Sequence, residues 1–286
     1  MRRTAETTGL VYDSTAELPD GVAGGVASRM VPMLVQFGSE TFRDHVDQTS
    51  EELYARLAAS PIAPTTSQAP PAAFAAAYEE LLATHDHVIS LHLSGKLSGT
   101  VQSARLGAEA FGDRVTVIDT GTVSVLLGLA VIGVAELLAR GTDDDEVGAY
   151  LARHAAEGRL FVGLETLEHL QRGGRIGKAQ ALVGQLLSVR PILTVQDGEI
   201  LPLTRVRGTG KVVGAIVEQL ELGFAGRTDI RLLVGHGAAP EGAERLVEAI
   251  AAGRPDLARA RVVTIGAAVG AHAGPGAIGV AVSPLP

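Results

Sequence analysis

Over its first 158 residues the chain alternates short β-rich runs with longer helical ones, and that alternation leaves few folds open. Strands joined through helices lie parallel in one sheet, with the helices on its faces. Residues 9–12 read as a strand ending at Asp13-Ser14-Thr15, and residues 30–37 as a second extended stretch. Thr49 followed three residues later by Glu52 predicts a capping box for a helix over 51–59. Residues 60–71 are too rich in proline for regular structure. A helix over 71–83, a strand over 87–93, a small-residue loop over 94–100 and a helix over 101–111 follow. Residues 115–119 form the next strand, a buried helix runs on from Val123, and Thr142 opens a helix that ends near Gly158.

Beyond Leu160 the pattern changes. Residues 191–195 and 200–204 flank Gln196-Asp197-Gly198-Glu199, a hairpin signal. A strand over 229–235 and a helix over 241–252 come next, then a last strand pair, 261–265 with 277–282, joined by a glycine-rich turn over 270–276. The fold class expected is α/β: a parallel-sheet α/β domain over 1–158 and a mixed α+β domain over 159–286.

Charge and composition narrow the function. With 24 Lys+Arg against 32 Asp+Glu the net charge is −8, which argues against broad electrostatic capture of nucleic acid or anionic membrane. Any anion must be held locally. Without cysteine there is no disulfide, thiol nucleophile or thiolate metal site. The first residues lack the apolar core of a signal peptide, and the uncharged stretch between Asp119 and Glu136 is shorter than the roughly 20 apolar residues that span a bilayer, so a cytoplasmic protein is expected. Aromatic residues make up 3% of the chain and Trp is absent, so a pocket would be aliphatic, with little to stack a base or sugar on.

Three groups of residues could carry chemistry. The loops Thr65-Thr66-Ser67-Gln68 and Ser94 to Thr100 each precede a helical run. Hydroxyls and N–H groups there can satisfy an anion without a full countercharge, or can simply cap helices. His272, among glycines in a turn, can exchange a proton near neutral pH. The basic stretch Arg172-Gly173-Gly174-Arg175-Ile176-Gly177-Lys178, with Arg190, Arg205, Arg207 and Lys211 downstream, suits a phosphorylated ligand or an acidic partner, or is solvated charge. His85, His87 and His92 lack a third ligand at zinc spacing, so no metal is expected. The glycines at 274, 276 and 279 match a dinucleotide pattern but enclose Pro275 and open no helix, and Gly95 to Gly99 fits neither a phosphate loop nor a nucleophile elbow.

Five segments in order, Tyr12-Asp13-Ser14-Thr15-Ala16-Glu17-Leu18-Pro19, Thr66-Ser67-Gln68, Leu97-Ser98-Gly99-Thr100-Val101-Gln102-Ser103-Ala104, Gly173-Gly174-Arg175-Ile176 and His272-Ala273-Gly274-Pro275-Gly276, make the chain resemble the DegV family of bacterial fatty-acid-binding proteins. The resemblance implies a long-chain fatty acid held between two domains, no cofactor and no catalytic residue. It assigns the carboxylate to Thr66 and Ser98, with Ser67, Ser94, the Gly99 backbone and His272 around them. Ser94-Gly95 stands where relatives often carry two serines. It also implies an ATP-binding kinase subunit as partner, docked through Arg172, Arg175 and Arg205, with transient membrane contact to collect the lipid. Two other readings use the same residues: a lipid sensor without a kinase, and a hydrolase or acyltransferase with Ser98 as nucleophile and His272 as base.

Overall fold

The computed structural model describes residues 2–19, 25–60, 63–182 and 189–286. In chain order the first part runs β1 (Arg2–Arg3), β2 (Thr8–Asp13), β3 (Ser28–Val31), β4 (Leu34–Phe37), β5 (Glu40–Arg43), α1 (Ser50–Ala59), β6 (Thr65–Ser67), α2 (Pro71–Leu82), β7 (His87–His92), α3 (Thr100–Ala108), β8 (Val115–Asp119), α4 (Val125–Arg140), β9 (Thr142–Asp143) and α5 (Asp144–Glu157). The second part runs β10 (Arg159–Gly163), α6 (Glu168–Arg172), β11 (Val189–Gln196), β12 (Glu199–Arg207), α7 (Val212–Phe224), β13 (Ile230–His236), α8 (Pro240–Gly253), β14 (Arg261–Thr264), α9 (Ala267–Ala273) and β15 (Ile278–Pro284).

The fold is α/β, with a parallel sheet in the first part and a mixed sheet in the second. Strands β3-β2-β7-β8 are parallel throughout, as strand–helix alternation requires. The second sheet, in the order β12-β11-β10-β15-β13-β14, is antiparallel except for β13 with β14. Its β11–β12 hairpin turns through Asp197 (φ 51°) and Gly198 (φ 77°), the left-handed pair that a type I′ turn needs. A small antiparallel sheet, β5-β4-β6, lies beside these. Helix α4 is apolar on nearly every side, so every side must be covered. It lies between the two large sheets, touching β2 and β7 on one flank and β10, β13 and β15 on the other.

Several expectations are corrected. The stretch 30–37 is two strands in different sheets, divided at Pro32-Met33, because proline has no N–H to offer a ladder. Part of the proline-rich run is regular after all: β6 pairs with β4 through three residues between Pro64 and Pro70 that retain their N–H groups. Pro61 and Ile62 of that run lie outside the described residues. The cap of α5 is Asp143, whose carboxylate accepts the Glu146 N–H at 2.8 Å, while Thr142 pairs with Arg3. Helix α3 ends at Ala108 and passes into a 3-10 segment over Glu109–Arg114. Residues 261–265 and 277–282 do not pair with each other; β14 and β15 flank β13, and the supposed turn between them is mostly α9. Helices α6 and α7 were not anticipated. In α7, Gly214, Gly223 and a β-branched start obscure a helical face formed by Val212, Ala215, Ile216, Leu220 and Phe224.

Candidate functional site

A cavity enclosing about 1000 Å³ of space between atoms, its mouth included, opens where α9, the start of α4 and the six-stranded sheet meet. The four-stranded sheet contributes Leu93 and Leu97 from the segment after β7 and Val123 to Val125 from the segment after β8. The six-stranded sheet contributes Leu160, Val162, Leu193 and Val195. Most of the lining is aliphatic. Its polar groups include Thr66, Ser67, Ser98 and His272, and Arg175 is the charged side chain among the described lining residues apart from that histidine.

The polar end is built from four parts of the chain. Thr66 on β6 and His272 in the last turn of α9 share a hydrogen bond of 2.7 Å between Oγ1 and Nε2. Ser98 Oγ lies 2.8 Å from Thr100 Oγ1 and accepts the Thr100 N–H at 3.3 Å, just ahead of α3, whose N-cap is Gly99. Arg175 donates from Nε to the Leu97 carbonyl at 3.1 Å and from Nη1 to the Gly173 carbonyl at 2.8 Å, which fixes the guanidinium beside the Ser98 loop. Gly173 is there for space: a Cβ would fall 2.1 Å from His272 Nδ1.

Burial first, then the charges of Arg175 and His169, pushes His272 down to about 4, so the ring is neutral near pH 7. Its Nδ1 has no hydrogen-bond partner. A buried N–H left unpaired is costly, so the ring proton belongs on Nε2, donating to Thr66. The Thr66 hydroxyl proton is then free for an acceptor in the cavity.

The opposite end of α9 is clamped from far along the chain. Glu17, fully buried, accepts the Gly266 N–H with both carboxylate oxygens at 2.9 Å. Asp44 accepts the Ala267 N–H at 2.7 Å and the Ser14 hydroxyl at 2.7 Å. Two carboxylates at a helix N-terminus complement its dipole. Burial raises the pKa of both groups, and that of His45, whose Nε2 is 3.4 Å from Glu17, is pushed up to about 9, chiefly by its hydrogen bond to that carboxylate. Tyr54 donates to the Ile265 carbonyl at 3.1 Å and completes the clamp.

The expected site residues separate into those at the cavity and those behind it. Thr66, Ser67, Ser98, His272 and Arg175 line it. His272 stands on a helix and not in a turn, and Thr66 and Ser67 on a strand and not in a loop. Ser94 and Gly99 are not among the lining residues. Ser94 donates to the Gly198 carbonyl at 2.9 Å, tying the loop to the β11–β12 turn, and Gly99 leaves room for the Gln68 amide. Arg172 is exposed and pairs with Glu168 at 3.2 Å, and Arg205 is exposed on the edge strand β12. Sequence reading missed Thr15, Met33 and Ser124 as lining residues. Ser124 is buried with φ 59° and ψ −144°, a strained conformation at the start of α4. Its signal was legible in Thr120-Gly121-Thr122-Val123-Ser124, a third run of small polar residues before a helix. Among the described residues no group of three or more His, Asp or Glu is placed to hold a metal, and no helix is long and apolar enough to cross a membrane.

The model of the family described as "Uncharacterised protein, DegV family" matches residues 7–285. The chain belongs to the DegV family. Among DegV proteins it is similar to a DegV domain-containing protein of Deinococcus radiodurans, 38% identical over 96% of this chain and 98% of the relative, and to DegV of Bacillus subtilis, 33% identical over 95% and 97%. Its fold matches a fatty-acid-binding DegV family protein of Thermus thermophilus with a TM-score of 0.92 at 38% identity, covering 98% of this chain and 100% of that one. It also matches the crystal structure of Bacillus subtilis DegV, described as a fatty acid binding protein, with a TM-score of 0.86 at 31% identity over 98% and 99%. The fatty acid kinase B3 protein of Streptococcus pneumoniae, loaded with linoleic acid, shares the fold with a TM-score of 0.84 at 21% identity over 98% and 100%.

Proposed function

We propose that this protein is a non-catalytic carrier in the cytoplasm that buries one long-chain fatty acid between two domains meeting near Gly158 and presents its carboxylate to a separate ATP-binding kinase subunit. The observation that carries this reading is the polarity of the cavity: one end gathers Thr66, Ser98, His272 and Arg175, and the rest is mostly aliphatic. Fatty acid binding by the Thermus thermophilus and Bacillus subtilis DegV proteins supports it. An acyl chain of about sixteen carbons at ~0.8 kcal/mol per CH₂ would gain on the order of 12 kcal/mol gross from burial, before ordering costs. The tail supplies most of the affinity. The carboxylate gives up hydration on binding, and the Thr66 and Ser98 hydroxyls and the Arg175 guanidinium replace part of it.

The hydrolase reading is disfavoured by one atom. A Ser98–His272 pair needs an acid to orient the imidazole, and His272 Nδ1, where that acid would sit, is unpartnered. The structure also redistributes the docking residues. Arg175 lines the cavity, so a charge change there would disturb lipid binding, and Arg172 and Arg205 on the outer surface are the cleaner docking candidates.

The test is acyl-phosphate formation by the carrier with a fatty acid kinase subunit and ATP. Thr66→Val and Ser98→Ala are expected to lower turnover at least about tenfold, the scale set by one lost hydrogen bond to a charged group. Turnover unchanged in both would overturn the headgroup assignment. Arg172→Glu should lower turnover while displacement of a fluorescent fatty acid stays unchanged; equal loss of both would place that residue in folding or in the pocket.

A further inference from the structure

Four residues of the cavity floor are direct cross-strand partners. Leu193 on β11 faces Val162 on β10, Val162 faces Gly279 on β15, and Gly279 faces Gly235 on β13. Side chains of directly opposed residues share a face, so these four form a row across the sheet, three strand spacings or about 14 Å long. The row starts with two branched side chains and ends with two glycines.

Helix α9 roofs the same space. Ile265, Ala268, Val269, His272 and Ala273 line the cavity at helical spacing, so one face of α9 and the residue leading into it runs along the cavity. Ala268 and His272 are four residues apart on α9, about 6 Å at 1.5 Å per residue, and Ile265 lies beyond the start of the helix. His272 holds the polar end, and Gly235 lies at the Ile265 end. A Cβ built on Gly235 would sit 3.0 Å from Val125 Cγ1 and 3.3 Å from Ile265 Cγ1, where the start of α4 and the residue before α9 close the cavity.

Nothing in the backbone of Gly235 demands glycine. Its φ is outside the left-handed region, glycine within a strand lowers stability, and its nearest neighbours are the stiff, β-branched Val125 and Ile265, which an added methyl would press toward the cavity. In a strand interior it commonly marks a close approach by another group. We propose that Gly235, opposite Gly279, is the position that sets acyl-chain length, with the methyl end of the tail lying over the glycine pair and stopped by Val125 and Ile265. The inference rests on the fatty acid reading and deepens it: the cavity selects tails by length at a point remote from the carboxylate.

The experiment loads the wild-type protein, Gly235→Ala and Val125→Ala with an equimolar mixture of even-numbered saturated fatty acids and quantifies the extracted bound lipid. Each methylene denied burial changes affinity about fourfold. Gly235→Ala is therefore expected to shift the bound distribution about two carbons shorter, with a roughly tenfold loss of the longest chain the wild type takes. Val125→Ala, which opens the same end, should shift it longer. A loaded Gly235→Ala protein with the wild-type distribution overturns the proposal. If Gly235→Ala does not fold, Val125→Ala decides, and an unchanged distribution in that variant overturns it equally. Wild-type protein that takes up no fatty acid at all would instead remove the carrier reading, and this inference with it.

Discussion

Helix α9 has a histidine at each end, and although burial lowers both, their neighbours push the two in opposite directions. At its start His45 lies against Glu17 and Asp44 and is raised to about 9, so it is a cation near neutral pH. At its end His272 lies against Thr66, with Arg175 nearby, and is lowered to about 4, so it is neutral. His45 is partly exposed and His272 is half-buried. The difference is the sign of the neighbours: the charged end locks the helix to the N-terminal part of the chain, and the neutral end holds Thr66 at the cavity. A carboxylate beside His272 would have repelled an anionic headgroup.

The comparison can be broken from either end. The largest effect should come from Glu17→Ala, which leaves the Gly266 N–H and the His45 cation without their partner. Leaving a buried N–H unpaired and a partly exposed cation without its partner costs about 2–3 kcal/mol, to be measured by equilibrium denaturation. A loss under about 1 kcal/mol would show that the clamp contributes little.

The second effect is a pH dependence with a definite sign. A histidine whose folded pKa is raised adds stability below its unfolded value near 6.5, and that stability is lost as pH rises through about 9. His272, lowered to about 4, works the other way, its contribution present above 6.5 and lost as pH falls toward 4. Thermal melts should therefore decline between pH 6.5 and 9, and His45→Gln should flatten that decline. A decline that persists unchanged in His45→Gln would assign it to other groups.

Gly173→Ala should act at the ligand end. The added methyl displaces the His272 ring, so fatty acid affinity should fall about tenfold, or ~1.4 kcal/mol, in a displacement titration, and Tm should change less than in Glu17→Ala. The smallest effect belongs to Arg172→Ala, whose partner Glu168 is one helical turn away on an exposed face. Its stability should stay within about 0.5 kcal/mol of wild type.

Much of this architecture is legible in the sequence, for reasons that differ between regions. The parallel sheet is written in local alternation, the Thr49–Glu52 box in a four-residue pattern, and the β11–β12 hairpin in one Asp-Gly pair. Each depends on near neighbours. What escapes is set by distant ones. Helix α9 has no local side-chain cap; its N-terminus is satisfied by Glu17 and Asp44, more than two hundred residues away, so its last four residues read as part of a glycine-rich turn. Strand β6 is held by β4 despite its flanking prolines. At the site, hydroxyl and histidine chemistry picked out two loops and His272, the family resemblance singled out Thr66 and Ser98 within the loops, and the structure brings all three residues to one cavity. Ser94 carries the same chemistry but is used to fasten a loop, a distinction only its Gly198 contact reveals. The cavity floor was invisible because Gly235 and Gly279 become neighbours only through strand register.

The central claim is that the cavity holds a fatty acid, and the most direct measurement is denaturing extraction of freshly purified protein followed by mass spectrometry of what it releases. The account predicts close to one equivalent of long-chain fatty acid per chain. Protein that releases no lipid and binds none on addition, by native mass spectrometry, would contradict it.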